Sequence, residues 1–155
     1  MNDEFTLKSL KPAKQANLGK VFEKALQKAF EAVKLARVSF DYERILDAHS
    51  SRGAISAPRT GDFLIFNRGV CTVLEAKEVS HDYRLPAANV KADQRARMRR
   101  RSLAGIQVLV AVSHSTNGTY RLLPSAYFDA AVTGSWDLSR EKELTFKRLV
   151  EELTK

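Results

Sequence analysis

Two apolar runs, Phe63-Leu64-Ile65-Phe66 and Val70-Cys71-Thr72-Val73-Leu74, flank the segment Asn67-Arg68-Gly69. Both runs are rich in good strand formers. The segment between them reads as a three-residue loop whose glycine can take the left-handed conformation. The spacing predicts a β-hairpin over residues 62–78. Neither run alternates apolar with polar side chains. A strand that is apolar on both faces needs cover on both, so the sheet that holds this hairpin lies between other layers.

The rest of the chain supplies such layers. Leu18, Val21, Phe22, Ala25, Leu26, Ala29, Phe30 and Val33 recur at helical spacing after Asn17, a competent N-cap. Glu23 sits at the edge of that stripe. Val38 to Leu46 reads as one or two strands with a polar insert, Asp41-Tyr42-Glu43-Arg44, and a loop runs on to Pro58. His81 to Ala88, with Pro86, reads as a further loop. Val90 to Ala104 is helical, with Ala92, Ala96 and Leu103 on one side and Gln94, Met98 and Arg101 on the other, and Gly105 ends it. Ile106 to Val112 is uninterrupted apolar sequence, the mark of a buried central strand. Asn117-Gly118 is a turn signal, and Thr119 to Leu123 a returning strand. Pro124 can open a short helix over 124–131, broken by Thr133-Gly134-Ser135. Ser139 is the expected cap of a last helix that buries Phe146, Leu149, Val150 and Leu153. Helix, strands, helix, strands, helix is the order of an α/β domain with a mixed sheet. Residues 1–16 read as a flexible basic arm and 17–155 as a single domain.

Charge restricts the partners. The chain of 155 residues carries 26 Lys and Arg against 18 Asp and Glu, a formal net charge of +8. That surplus suggests a polyanion. It is concentrated in Lys91, Arg95, Arg97, Arg99, Arg100 and Arg101, offset by Asp93, and in Lys8, Lys11, Lys14 and Lys20. Like charges at i, i+4, such as Lys91, Arg95 and Arg99, destabilise a bare helix, which makes an anionic ligand a reasonable explanation. Neither group is paired with the broad apolar face of a membrane-surface helix. No apolar run spans a bilayer, and the N-terminus lacks the features of a signal peptide. The single cysteine, Cys71, points to a reducing cytoplasm, and the three histidines offer no zinc spacing.

The hairpin ends in chemistry. Glu75 and Lys77, two apart in a strand, share a face, and pairing brings Asp62 to the same end. Two carboxylates and an amine at one spot suit metal-dependent phosphodiester hydrolysis: oxygen ligands hold a hard cation, and the amine orients water and offsets charge on the phosphate. Taken alone, Asp62 also reads as a surface residue and Glu75 with Lys77 as an ordinary ion pair. Gln94 points away from the alanine side of its helix and toward the same region.

An ordered series of motifs adds to this. Asn17-x-Gly19 with Phe22-Glu23, Thr60-Gly61-Asp62-Phe63, Glu75-Ala76-Lys77-Glu78, Leu85-Pro86-x-x-Asn89 followed by Asp93-Gln94 and Met98, Gly105-Ile106, and Tyr120 to Pro124 occur in that order. Over residues 17–128 the chain resembles the PD-(D/E)xK nuclease superfamily, more narrowly the RecU-type Holliday junction resolvases, and more loosely the archaeal-type resolvases. Two features depart from the pattern: Gly61 stands where the motif usually has proline, and residues 38–59 are too few for the RecU stalk. The resemblance implies a restriction-endonuclease-like fold with a central mixed sheet flanked by helices, and residues 17–155 as one nuclease domain. It implies that Asp62, Glu75, the Ala76 carbonyl and Glu23 hold magnesium, with manganese a substitute, that Lys77 positions the attacking water, and that Glu23 and Gln94 complete the site. Thr60 would contact the scissile phosphate, and Lys91, Arg95, Arg97, Arg99, Arg100, Arg101, Lys11, Lys14 and Lys20 the DNA backbone. It implies a homodimer on branched DNA that cuts opposed strands of a four-way junction to leave 5′-phosphates, in a bacterial cytoplasm or from a virus of bacteria, without a small-molecule cofactor or membrane partner. The rival readings are a nuclease of the same fold acting on flaps, nicks or linear duplex, and a non-catalytic DNA-binding protein. An RNA-binding module lacks the aromatic strand motif that stacks bases.

Overall fold

The computed structural model describes residues 18–45 and 61–155. Helix α1 (Leu18–Ala36) leads into strand β1 (Phe40–Arg44). After the segment 46–60 come β2 (Phe63–Asn67) and β3 (Val70–Val79), the predicted hairpin. Its turn is tighter than expected. Asn67 pairs with Val70, so only Arg68 and Gly69 form the loop, at φ 50° and 81°. Two successive left-handed residues make a turn whose twist matches that of the strands it joins.

β3 is followed by β4 (Arg84–Pro86), a 3-10 turn (Ala87–Asn89), α2 (Ala92–Leu103) and β5 (Gln107–His114). β5 lies parallel to β3, Glu75 opposite Val110 and Lys77 opposite Val112. Parallel neighbours require a long crossover, and α2 is that crossover. Gly105, at φ 89°, ends α2: its N–H donates to Ser102 O at 3.0 Å and that of Ile106 to Arg101 O at 3.1 Å, the paired bonds of a Schellman stop. β6 (Thr119–Pro124) returns antiparallel to β5, giving the sheet order β1-β2-β3-β5-β6 with one parallel pair. The architecture is α/β, a central mixed sheet flanked by helices.

The hydrophobic cover falls on both faces, as the doubly apolar hairpin requires. On one face α1 and α3 (Phe146–Thr154) bury Phe22, Leu26, Phe30, Leu149 and Leu153 against Phe63, Ile65, Leu74 and Ala76. On the other, Met98 of α2, Phe128, Trp136 and Leu138 pack on Val73, Val108, Val110 and Val112.

Several local expectations are corrected. The segment read as a loop around Pro86 contains β4, which pairs antiparallel with β7 (Ser135–Asp137), where a break had been expected. Three-residue strands are too short to show an alternation. The helix expected over 124–131 is a single 3-10 turn, Ser125–Phe128. The last helix starts later than a cap at Ser139 would set it. Thr145 is its cap, its hydroxyl accepting from Arg148 N at 3.3 Å, and Ser139 instead donates its N–H to Asp137 Oδ1. Val21, assigned to the buried stripe of α1, is 63% exposed. In α2 the side bearing Met98 faces the core, while Ala92, Ala96 and Leu103 are exposed.

Candidate active site

Asp62 lies one residue before β2. Its N–H donates to Leu74 O at 2.9 Å, the carbonyl of the residue that pairs with Phe63, so Asp62 is tied to the open end of the hairpin. Gly61 lets the chain pass close to β3: a Cβ there would stand 2.7 Å from Val73 Cγ1 and 3.0 Å from Leu74 O. This accounts for glycine at the position where the resemblance expects proline. Asp62 Oδ2 in turn accepts from Ala76 N at 2.8 Å, which locks the carboxylate onto the strand that carries Glu75 and Lys77.

Glu75 and Lys77 stand on the α2 side of β3, between the core residues Val73 and Val79 of that face. Lys77 Nζ is 2.9 Å from Glu75 Oε1. Gln94, on the first turn of α2, connects both: its amide nitrogen donates to Glu75 Oε1, and its oxygen accepts from Lys77 Nζ at 3.2 Å. Asp62 and Glu75 are only 4% and 9% exposed. Buried carboxylates are costly unless partnered, and here backbone N–H, amide and ammonium donors supply the partners.

Asp62, Glu75, Lys77 and Gln94 line one polar cavity of about 290 Å³ with Asn89, Lys91, Asp93 and Arg97. The two carboxylates singled out in the sequence therefore open into the same space. A larger cleft of about 510 Å³ runs between α1 and β1, but its one carboxylate, Glu31, accepts from the Tyr42 hydroxyl at 2.9 Å. Chemistry, not size, distinguishes the smaller cavity.

Glu23 is not among the residues brought together. It projects from α1, which covers the opposite face of the sheet from α2, and its Oε2 is 2.9 Å from Arg44 at the end of β1. Arg44 also donates to Gln27 at 3.0 Å. Among the described residues no three Asp, Glu, His or Cys side chains are grouped to hold a metal; of the side chains expected, with the Ala76 carbonyl, as ligands, Asp62 and Glu75 line the cavity and Glu23 does not. Glu78, next to Lys77, likewise turns to the α1 side, where it accepts from Phe22 N at 3.3 Å, and burial pushes its carboxyl above the usual range.

Of the expected DNA contacts, Lys91 and Arg97 border the cavity, while Arg95 and Arg99 line a separate cleft beside Asp129. Arg100 and Lys20 are exposed and Arg101 is half-buried. Thr60, Lys11, Lys14 and the arm 1–16 lie outside the described residues. Asn89 and Asp93 had no assigned role. Both border the cavity because Asn89 ends the 3-10 turn that feeds α2, and Asp93 stands in that helix's first turn. The motif that contains them was the signal that could have singled them out.

No family model matches the chain, and no curated protein matches it in sequence. Among solved structures it is similar to the Holliday junction resolvase from the archaeal hyperthermophile Archaeoglobus fulgidus, at a TM-score of 0.58 and 15% identity, over 87% of this chain and 97% of that one. The two chains share a fold. At this identity the likeness rests on backbone architecture, and the resolvase fold is reached here with a largely different set of side chains.

Proposed function

We propose that the protein is a structure-selective DNA endonuclease that resolves four-way junctions by metal-dependent hydrolysis. The observation that carries this reading is the convergence of Asp62, Glu75, Lys77 and Gln94 on one cavity bordered by Lys91 and Arg97. The resolvase fold supports it.

The donor set suits a hard divalent cation. Asp62 and Glu75 offer oxygen alone, and magnesium is commonly held by one or two carboxylates together with water and substrate phosphate. These two residues, with the Ala76 carbonyl, would hold magnesium, and manganese could replace it. Bound there, the ion supplies Lewis-acid activation of water and neutralisation of charge on the phosphodiester. The remaining work belongs to the chain's own groups. Lys77 orients the attacking water and offsets phosphate charge. Gln94 fixes Lys77 relative to Glu75, so the amine is already positioned when substrate arrives. Lys91 and Arg97 engage the flanking backbone. Contacts to phosphates read shape rather than base identity, which gives selectivity for the junction over any sequence. Two copies of the chain would place two such sites on opposed strands, each cut leaving a 5′-phosphate.

The test is cleavage of a synthetic four-way junction in magnesium, compared with chelator and with flap, nicked and linear substrates. The expected result is magnesium-dependent cutting that favours the junction. Asp62→Ala, Glu75→Ala or Lys77→Ala should abolish cutting while binding persists. Near-parental cutting by Asp62→Ala overturns the assignment. Preference for a flap or linear duplex instead indicates another nuclease of this fold, and metal-independent binding without turnover a non-catalytic DNA-binding protein.

A further inference from the structure

Asp93 borders the cavity but takes no part in the hydrolysis described above. Its Oδ2 is 2.8 Å from Arg97 NH1, one helical turn away, and both side chains line the space that contains Asp62, Glu75 and Lys77. The pair is open to solvent, Asp93 at 66% and Arg97 at 33% exposure. Arg97 Nε has no partner among the described residues, so Asp93 leaves part of the guanidinium unsatisfied. A guanidinium matches a phosphate as well as it matches a carboxylate, and an exposed ion pair is held weakly.

We propose that Asp93 is a positioning residue that competes with the substrate for Arg97: it keeps the guanidinium at the cavity in the free protein and gives it up to a backbone phosphate when DNA binds. The proposal rests on the DNA reading above and adds a means of selectivity to it. Only a backbone that presents a phosphate squarely to Arg97 offsets the release of Asp93. A poorly placed phosphate leaves the pair intact and gains nothing, which discriminates against the wrong DNA shape.

The test is a double-mutant cycle on affinity for a labelled four-way junction, measured with chelator so that the strands stay whole. It uses the parent, Asp93→Asn, Arg97→Gln and the doubly substituted protein. Asp93→Asn is expected to tighten binding by about threefold, the scale of one exposed ion pair. The same substitution in the Arg97→Gln background is expected to change nothing, because the competed group is gone. Asp93→Glu, which can still reach Arg97 at i, i+4, should bind as the parent does. An equal gain in both backgrounds means that Asp93 acts merely as a negative charge near DNA, and overturns the proposal. Absence of any gain, with the parent binding normally, also overturns it. A parent that binds no DNA overturns the functional reading itself, and the inference with it. The first two failures appear in the cycle alone, the last in the parent.

Discussion

Gly61 illustrates how one missing side chain positions a site. The chain before β2 lies so near β3 that a Cβ would meet Val73 Cγ1 and the Leu74 carbonyl, and that same carbonyl accepts the Asp62 N–H. Gly61→Ala must push the segment off the strand, and overpacking of this kind costs about 1–3 kcal/mol. We expect a lowered urea midpoint and, because Asp62 moves with Gly61, a loss of cleavage larger than the loss of junction affinity. Unchanged cleavage would show that the carboxylate tolerates displacement. The acidic residues themselves were legible in the sequence, since strand periodicity alone puts Glu75 and Lys77 on one face. Glu23 was not. Its partner Arg44 is 21 positions away along the chain, and helical spacing says which edge a residue occupies, not which cation will reach it.

The element that joins the cavity to the charged surface is α2. It presents Gln94 to Glu75 and Lys77, Met98 to the core, and arginines to two separate recesses. Its existence and its stop were clear from the sequence. Which side went inward was not, because the helix has a weak apolar face and charge is distributed around it. Met98 and the partners of Gln94 decided the matter. Arg97 and Arg99 line different recesses, so on the proposed DNA-binding reading each would meet its own phosphate. Arg97→Gln with Arg99→Gln should shallow the salt dependence of duplex binding by up to about 2 in log–log slope, nearly one for each phosphate no longer neutralised. An unchanged slope in a salt titration removes this helix from the interface. β4 and β7 lay at the opposite extreme of legibility. At three residues each, with a proline in one, they form through pairing with each other, and neither carries a pattern of its own.

Across the whole molecule, the α2 side of the core ends at His114, which pairs with Val79 two steps beyond Lys77 and is fully buried. Its Nδ1 lies 2.7 Å from the His81 carbonyl, and its Nε2 has no partner among the described residues. Burial first, then the nearby Arg121, holds this imidazole below its ordinary range against the opposing pull of the His81 carbonyl, Asp82 and Glu143. The native state therefore favours the neutral form of His114. The unfolded chain takes up the proton at about pH 6.5, so the stability this residue contributes is complete above that value and declines as pH falls below it. Urea unfolding at pH 7.5 and 5.5 should show a fall for the parent that His114→Gln reduces; an equal fall in both proteins removes His114 as the cause. The Glu78 carboxyl, raised by burial, contributes in the opposite sense, its stabilisation present at low pH and lost as pH rises, and cancels when the two proteins are compared. By itself the sequence determined the layered α/β class, the hairpin, the crossover helix and the two carboxylates with their lysine, because those depend on periods and turns carried within a few residues. Tertiary structure alone decided that Glu23 pairs with Arg44, that Gln94 bridges Lys77 and Glu75, that Asp93 holds Arg97, and that two three-residue strands make a second sheet. Each of these is a meeting of groups whose partners are chosen by packing, and packing is a property of the folded chain rather than of any short stretch of it.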